Sequence, residues 1–388
     1  MLDSLHIKNF RCFEDLTIPS LGRVNLIVGK NNSGKSTLLE AIAVFVTAKD
    51  ITPQDHPSAA NVIDKIRDIL SQRNEFFLTE DKPSDAQVIA HILYEKNDLK
   101  IRLGDINKNE SIDISIIKRK EKRLEILFFK KPKDSTTFQY TIIPLDQKNN
   151  IIRYWEDETY WHPEDDNIDI DEDTQLPLEI NISIEEIKSI LRDKLLEKKY
   201  QFVPSHLVSE TKLFELWDAI YHRNKDHEIL EGLRLIIPRL SSLHFSKNPN
   251  SDEQAAFLKE SDEETPKPLK AMGEGTARLL QIFLHSYIKK GGYLLIDEFE
   301  NGLHYSIQEE VWEKLFKLAK ELDIQVFATT HSQDTIKAFS KIALQSEEEG
   351  RLISLGRNER EIDKGKITAL TYNEDDIKLI AETGMEVR

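Results

Sequence analysis

The chain has 388 residues, 69 acidic and 53 basic, for a net charge of −16, with 39% hydrophobic and 31% charged residues. That balance is globular rather than disordered, and it counts against nucleic-acid binding by the whole surface while leaving room for a local basic patch. A single cysteine, Cys12, excludes an internal disulfide and a Cys-rich zinc site. No run reaches the roughly 20 apolar residues of a membrane helix, and a start containing Asp3, His6, Lys8 and Arg11 is unlike a signal peptide, so no membrane contact and a cytoplasmic location are expected.

Residues 5–18 alternate apolar and polar positions and predict one or two strands. Residues 24–28 form a short apolar run that predicts a buried strand, and the apolar spacing after Ser36 predicts a buried helix. Between them lies Gly29-Lys30-Asn31-Asn32-Ser33-Gly34-Lys35-Ser36, which fits the phosphate-loop pattern G-x-x-x-x-G-K-[ST]. Glycines at those places let the backbone wrap an anion, and successive N–H groups with the following helix N-terminus point at phosphate. Lys35 is expected to neutralise the β- and γ-phosphates, Ser36 to ligate Mg²⁺, and Thr37 to complete the cradle.

From 86 to 155 short strand-like runs alternate with polar turns, at 88–94, 101–103, 112–117, 124–129 and 138–143. The basic stretches 118–123 and 130–133 read as an exposed charged hairpin, with nucleic acid or an acidic partner as the alternative. Residues 155–173 are strongly acidic and read as a solvated loop. The stretch 183–240 reads as mainly helical, and 246–270 as a strand or two and a loop.

A helix is predicted at about 276–290, opened by Met272-Gly273-Glu274-Gly275, an anion site by its glycine-rich helix start. Residues 293–296 predict a buried strand ending in Asp297 and Glu298, at the edge of an open α/β sheet where ligands bind. There Asp297 can hold Mg²⁺ and Glu298 can act as general base on water. An amphipathic helix follows at 307–322, then a buried strand at 324–329 ending in Thr329-Thr330-His331-Ser332, where His331 can reach a γ-phosphate. Strand-like pieces at 352–355 and 367–370 and a helix near 374–383 close the chain. No internal repeat and no sustained heptad pattern is present.

In this order the pieces resemble the heads of ABC ATPases: Walker A at Gly29–Ser36, a signature at Gly273, Glu274 and Gly275, Walker B ending at Asp297, a catalytic Glu298, a D-loop at Asn301-Gly302-Leu303-His304 and a switch histidine, His331. With Ile7-Lys8-Asn9-Phe10-Arg11-Cys12-Phe13 before the phosphate loop, the chain looks like the SMC/RecF class. It is most similar to the short ATPases related to the OLD family. The resemblance implies an α/β P-loop fold with an antiparallel β subdomain and an inserted helical subdomain. One ATPase domain spans 1–388, divided as 1–85, 86–155, 156–265 and 266–388.

The resemblance further implies ATP and Mg²⁺ as ligands, a nucleotide contact by Arg11, and a homodimer or higher oligomer in which Gly273–Gly275 faces the partner's nucleotide. A supporting glutamine is expected, with Gln72 and Gln87 as candidates. The implied role is an ATP-hydrolysing switch controlling a separate effector, a Toprim-like nuclease, in anti-phage defence or DNA maintenance. The alternatives are a RecF-like repair ATPase acting directly on DNA, a nucleotide sensor that does not hydrolyse, and a transporter subunit. Glu274 departs from the usual signature serine, and His304 from the usual D-loop aspartate.

Overall fold

A computed structural model describes residues 1–48, 100–106, 110–118, 124–131, 139–144, 200–247, 254–288, 290–346, 349–357 and 365–383. In chain order the strands are β1 (Leu5–Phe10), β2 (Phe13–Ile18), β3 (Val24–Val28), β4 (Lys100–Asp105), β5 (Glu110–Lys118), β6 (Leu124–Lys131), β7 (Gln139–Pro144), β8 (Tyr200–Val203), β9 (Leu240–Lys247), β10 (Gln254–Glu260), β11 (Lys267–Pro268), β12 (Gly292–Ile296), β13 (Ile324–Thr330), β14 (Gly350–Arg357) and β15 (Ile367–Thr371). The helices are α1 (Lys35–Ala48), α2 (Glu210–Tyr221), α3 (Asp226–Leu233), α4 (Glu274–Tyr287), α5 (Gln308–Glu321), α6 (Gln333–Gln345) and α7 (Glu374–Thr383).

The central sheet has the order β15-β14-β3-β13-β12-β8. Five of its strands run parallel, and β15 is an antiparallel edge. Parallel strands covered on both faces need near-continuous apolar sequence, which β3 and β13 supply by burying every residue. Alternation then sorts side chains between two cores. Ile27, Leu295, Phe327 and Ile353 join the α1 side, while Leu26, Leu294, Val326 and Leu352 join α4, α5 and α6. The fold is therefore α/β, as expected.

A second sheet of order β2-β1-β4-β5-β6-β7 is antiparallel throughout. The β-rich segment thus extends the N-terminal hairpin instead of standing apart, and strand pairing crosses the division drawn at 85/86. Asp105 anchors this junction, accepting from the Asp3 N–H at 2.9 Å and the Ser4 hydroxyl at 2.7 Å. A third sheet, β11-β10-β9, is antiparallel and crosses the division at 265/266. The segment 156–265, expected to be an acidic loop and helical subdomain with a strand or two from 246, contributes β9 and β10 to this sheet beside α2 and α3. It also holds β8, an edge strand of the central sheet, within the stretch expected to be mainly helical.

The strand run at 88–94, the acidic loop 155–173, Gln72, Gln87 and the basic residues 119–123 and 132–133 lie outside the described residues. Among the described residues no helix is long and apolar enough to cross a membrane.

Candidate nucleotide site

The phosphate loop joins β3 to α1 and needs backbone shapes that only certain residues tolerate. Gly34 has φ +90°, and a Cβ there would lie 2.8 Å from the Phe13 ring and 3.0 Å from the Cys12 sulfur. Asn32 takes φ +62°, a left-handed shape that asparagine accepts more readily than most residues. Gly34→Ala should cost about 1–3 kcal/mol from backbone strain alone and weaken nucleotide binding, read from thermal melts and a fluorescent-nucleotide titration. A variant matching the wild type in both would show that the loop tolerates a Cβ.

Lys35 is buried, and its ammonium donates to the Gly29 carbonyl at 2.8 Å and the Lys30 carbonyl at 3.1 Å. The cation is thus held against the loop backbone, where the anion cradle expected from the sequence lies. Burial pushes the Cys12 thiol up from its ordinary range, so it packs beneath Gly34 as a thiol.

Sheet order brings the second half of the chain to this loop. β13 separates β3 from β12, and Thr329 on β13 bridges the two sides. Its hydroxyl donates to Asp297 Oδ1 at 2.6 Å and accepts the Glu298 N–H at 2.8 Å. The Ser36 hydroxyl donates to the same Asp297 oxygen at 2.9 Å. Two residues 261 positions apart, both expected to serve a metal, are therefore in contact. Hard oxygen donors of this kind suit Mg²⁺, which takes one or two protein oxygens and completes its shell with phosphate and water. Among the described residues no cluster of three His, Cys, Asp or Glu side chains forms a self-sufficient metal cage.

Glu298 adopts φ +48° at the end of β12. Its carboxylate accepts from Asn301 Nδ2 at 2.7 Å, and the same amide donates to the Ser205 carbonyl at 3.1 Å. His331 follows β13 directly. Glu300 Oε1 accepts its backbone N–H at 2.9 Å and lies 2.9 Å from its Nδ1.

Beneath these residues runs a buried polar stripe on α4. Arg278, Gln281 and His285 recur at helical spacing and face β8 and the segment after it. The Arg278 guanidinium donates to the carbonyls of Pro204, Asp297 and Glu298, the last two at 2.7 and 3.0 Å. Gln281 donates to the His206 carbonyl at 3.3 Å, and His285 Nδ1 lies 3.4 Å from Gln201 Oε1. Burial draws Arg278 down to about 10, with Asp297, Glu300 and Glu298 opposing the fall, so it remains a cation at neutral pH.

The signature turn opens α4 with Gly273 as N-cap at φ +88° and Glu274 exposed. Gly275 abuts the D-loop: a Cβ there would lie 2.6 Å from the Gly302 carbonyl oxygen. Arg11, expected beside nucleotide, pairs with Glu40 of α1 at 2.9 Å, with side chains 15% and 3% exposed. In this structure it braces the β1–β2 turn against the helix that follows the phosphate loop. Sequence reasoning missed Thr329 as a bridge, Glu300, Asn301 as the carboxylate's partner, Glu40 and Arg278. Arg278 alone carried a signal, a charge within a helix that buries most of its residues.

The ATP/GTP phosphatase of Helicobacter pylori is 25% identical over 360 residues, covering 88% of this chain and 88% of that protein. The OLD nuclease of Thermus scotoductus is 55% identical over 42 residues, covering 11% of this chain and 8% of that protein. Among solved structures, an Smc head bound to the C-winged helix domain of ScpA aligns over 96% of this chain and 98% of that chain, at 13% identity and a TM-score of 0.48. Residues 24–336, most of the chain, match the family described as "AAA domain, putative AbiEii toxin, Type IV TA system", and the chain belongs to that family of AAA-type ATPases.

Proposed function

We propose that the protein is an ATP-hydrolysing switch that closes as a homodimer around ATP and Mg²⁺ and governs a separate effector. The observation that carries this reading is the hydrogen-bonded cluster of Ser36, Asp297, Thr329 and Glu298, drawn from both halves of the chain. In this reading Lys35 and the loop N–H groups hold the β- and γ-phosphates. Ser36 and Asp297 hold Mg²⁺, which when bound screens the phosphate charge. Glu298 orients a water and takes its proton as the water oxygen bonds to the γ-phosphorus; the bond to the β–γ bridging oxygen breaks, and ADP leaves. His331 faces the transferred phosphoryl group. Gly273, Glu274 and Gly275 meet the partner's nucleotide, with the exposed Glu274 carboxylate turned to solvent, and Arg11 supports the loop from behind.

The effector is proposed to be a nuclease of the Toprim type, working in phage defence or DNA maintenance. Support comes from the likeness to a protein named an OLD nuclease, of which this chain matches 8%. The test is phosphate release from ATP by the purified protein, with its mass in solution followed with and without ATP–Mg²⁺. Turnover with an ATP-dependent doubling of mass is expected. Turnover by an unchanging monomer would overturn the dimer, and absence of both would overturn the switch.

A further inference from the structure

Glu300 lies two residues beyond Glu298, on the turn leading into the D-loop, and its side chain is 11% exposed. It faces a histidine that is 49% exposed. One carboxylate oxygen, Oε1, meets His331 twice: it accepts the backbone N–H at 2.9 Å and lies 2.9 Å from ring Nδ1. The second oxygen, Oε2, is buried without a hydrogen-bond partner among the described residues. A brace for the loop alone needs only the backbone contact. The ring contact is additional, and it decides the chemistry of the imidazole. An ionised carboxylate accepts and never donates, so a bond at Nδ1 requires the proton on Nδ1. Contact with substrate then falls to Nε2. The same logic orients metal-bound and catalytic histidines elsewhere.

We propose that Glu300 is the positioning residue for His331: it fixes the ring orientation and tautomer so that Nε2 is presented to the terminal phosphate of the bound nucleotide. This rests on the reading of the site as an ATP hydrolase. Ser332 caps α6, accepting the Thr335 N–H at 3.4 Å, so His331 is tied from both sides, by Glu300 before it and by the helix after it. Glu300 also contributes to the negative field around the Arg278 guanidinium.

The test compares the wild type with Glu300→Ala, Glu300→Gln, His331→Ala, the Glu300→Ala/His331→Ala double variant and Glu298→Gln. ATP turnover, fluorescent-nucleotide affinity and nitrogen-edited NMR of the His331 ring are measured on each folded protein. Glu300→Ala should lower kcat roughly 10- to 100-fold, the scale of losing a histidine's orienting partner, with nucleotide affinity changed by no more than about twofold. Glu300→Gln, which keeps an acceptor oxygen, should recover most of that loss. The double variant should be no slower than His331→Ala, because the two side chains act as one unit. The ring should carry its proton on Nδ1 in the wild type and redistribute it in Glu300→Ala.

Additive losses in the double variant would overturn the proposal. So would an unchanged ring tautomer, or a fall in affinity that matches the fall in turnover. Glu298→Gln separates the two levels: if it abolishes turnover while Glu300→Ala does not lower it, only the positioning role fails. If neither the wild type nor any variant turns over ATP, the hydrolase reading itself fails, and the positioning role with it.

Discussion

Glu298→Gln is expected to slow ATP turnover roughly 10²- to 10⁴-fold, the usual contribution of a general base, while nucleotide binding persists. The substitution removes a charge and a proton acceptor but keeps the shape. A glutamine can still accept from Asn301 Nδ2, which now holds the carboxylate at 2.7 Å. The backbone is pinned independently, by the Glu298 N–H on the Thr329 hydroxyl at 2.8 Å and the Phe299 N–H on the Thr329 carbonyl at 2.9 Å. These contacts hold a non-glycine residue at φ +48°, a conformation costing on the order of 1 kcal/mol that persists because its surroundings over-determine it. Strain of this kind clusters where a side chain must be aimed. Multiple-turnover phosphate release, fluorescent-nucleotide titration and light scattering with ATP–Mg²⁺ read the outcome. The variant should bind ATP and accumulate as a stable dimer. A variant that releases phosphate at the wild-type rate would remove Glu298 from the mechanism.

The parts of this site that were legible in the sequence are those where local backbone geometry and chemistry demand particular residues. Gly29 and Gly34 punctuate a strand–helix junction at positive φ angles of 151° and 90°, and that demand shows in the sequence as a fixed glycine spacing. Asp297 and Glu298 stand out because they end a run buried on both faces. The parts that were not legible depend on which strands become neighbours. Nothing local says that β13 inserts between β3 and β12, and that insertion is what places Thr329 between Ser36 and Asp297. Strand β8 was missed because its four residues follow a charged, helix-like stretch; parallel pairing to β12 makes it a strand, by register from Tyr293↔Tyr200 to Ile296↔Val203. Glu40 looked like an ordinary helix acid, yet it is 2% exposed because Arg11 meets it from another element. Side chains whose partners lie far away in sequence leave no periodic trace.

Arg278→Met is expected to destabilise the fold by about 3–5 kcal/mol, the usual cost of removing one partner from a buried charged network. Methionine fits a helix interior and fills similar length, so the loss is one of polar partners rather than of packing. Three carbonyls depend on this guanidinium: Pro204 after β8, and Asp297 and Glu298 after β12. Removing it takes a donor from each: the Glu298 carbonyl keeps the Asn301 N–H at 3.1 Å and the Pro204 carbonyl keeps Gln281 Nε2 at 3.5 Å, so the main loss falls on the Asp297 carbonyl, on the order of 1–3 kcal/mol. It also removes the positive charge that faces Asp297, Glu300 and Glu298. Arg278→Lys should recover only part of the stability, because one ammonium cannot copy a planar fork that spans two chain segments. The position has a second consequence. Arg278 sits one turn into α4, and the helix begins at the signature glycines, so the same side chain ties the signature turn to the backbone of Glu298. Turnover should therefore fall in Arg278→Lys even where thermal melts show a folded protein. Urea midpoints and phosphate release on both variants check this. An Arg278→Met protein with an unshifted midpoint would mean that the carbonyls find water instead. A folded Arg278→Lys protein with full turnover would mean that the signature helix and the Glu298 turn are joined by packing alone.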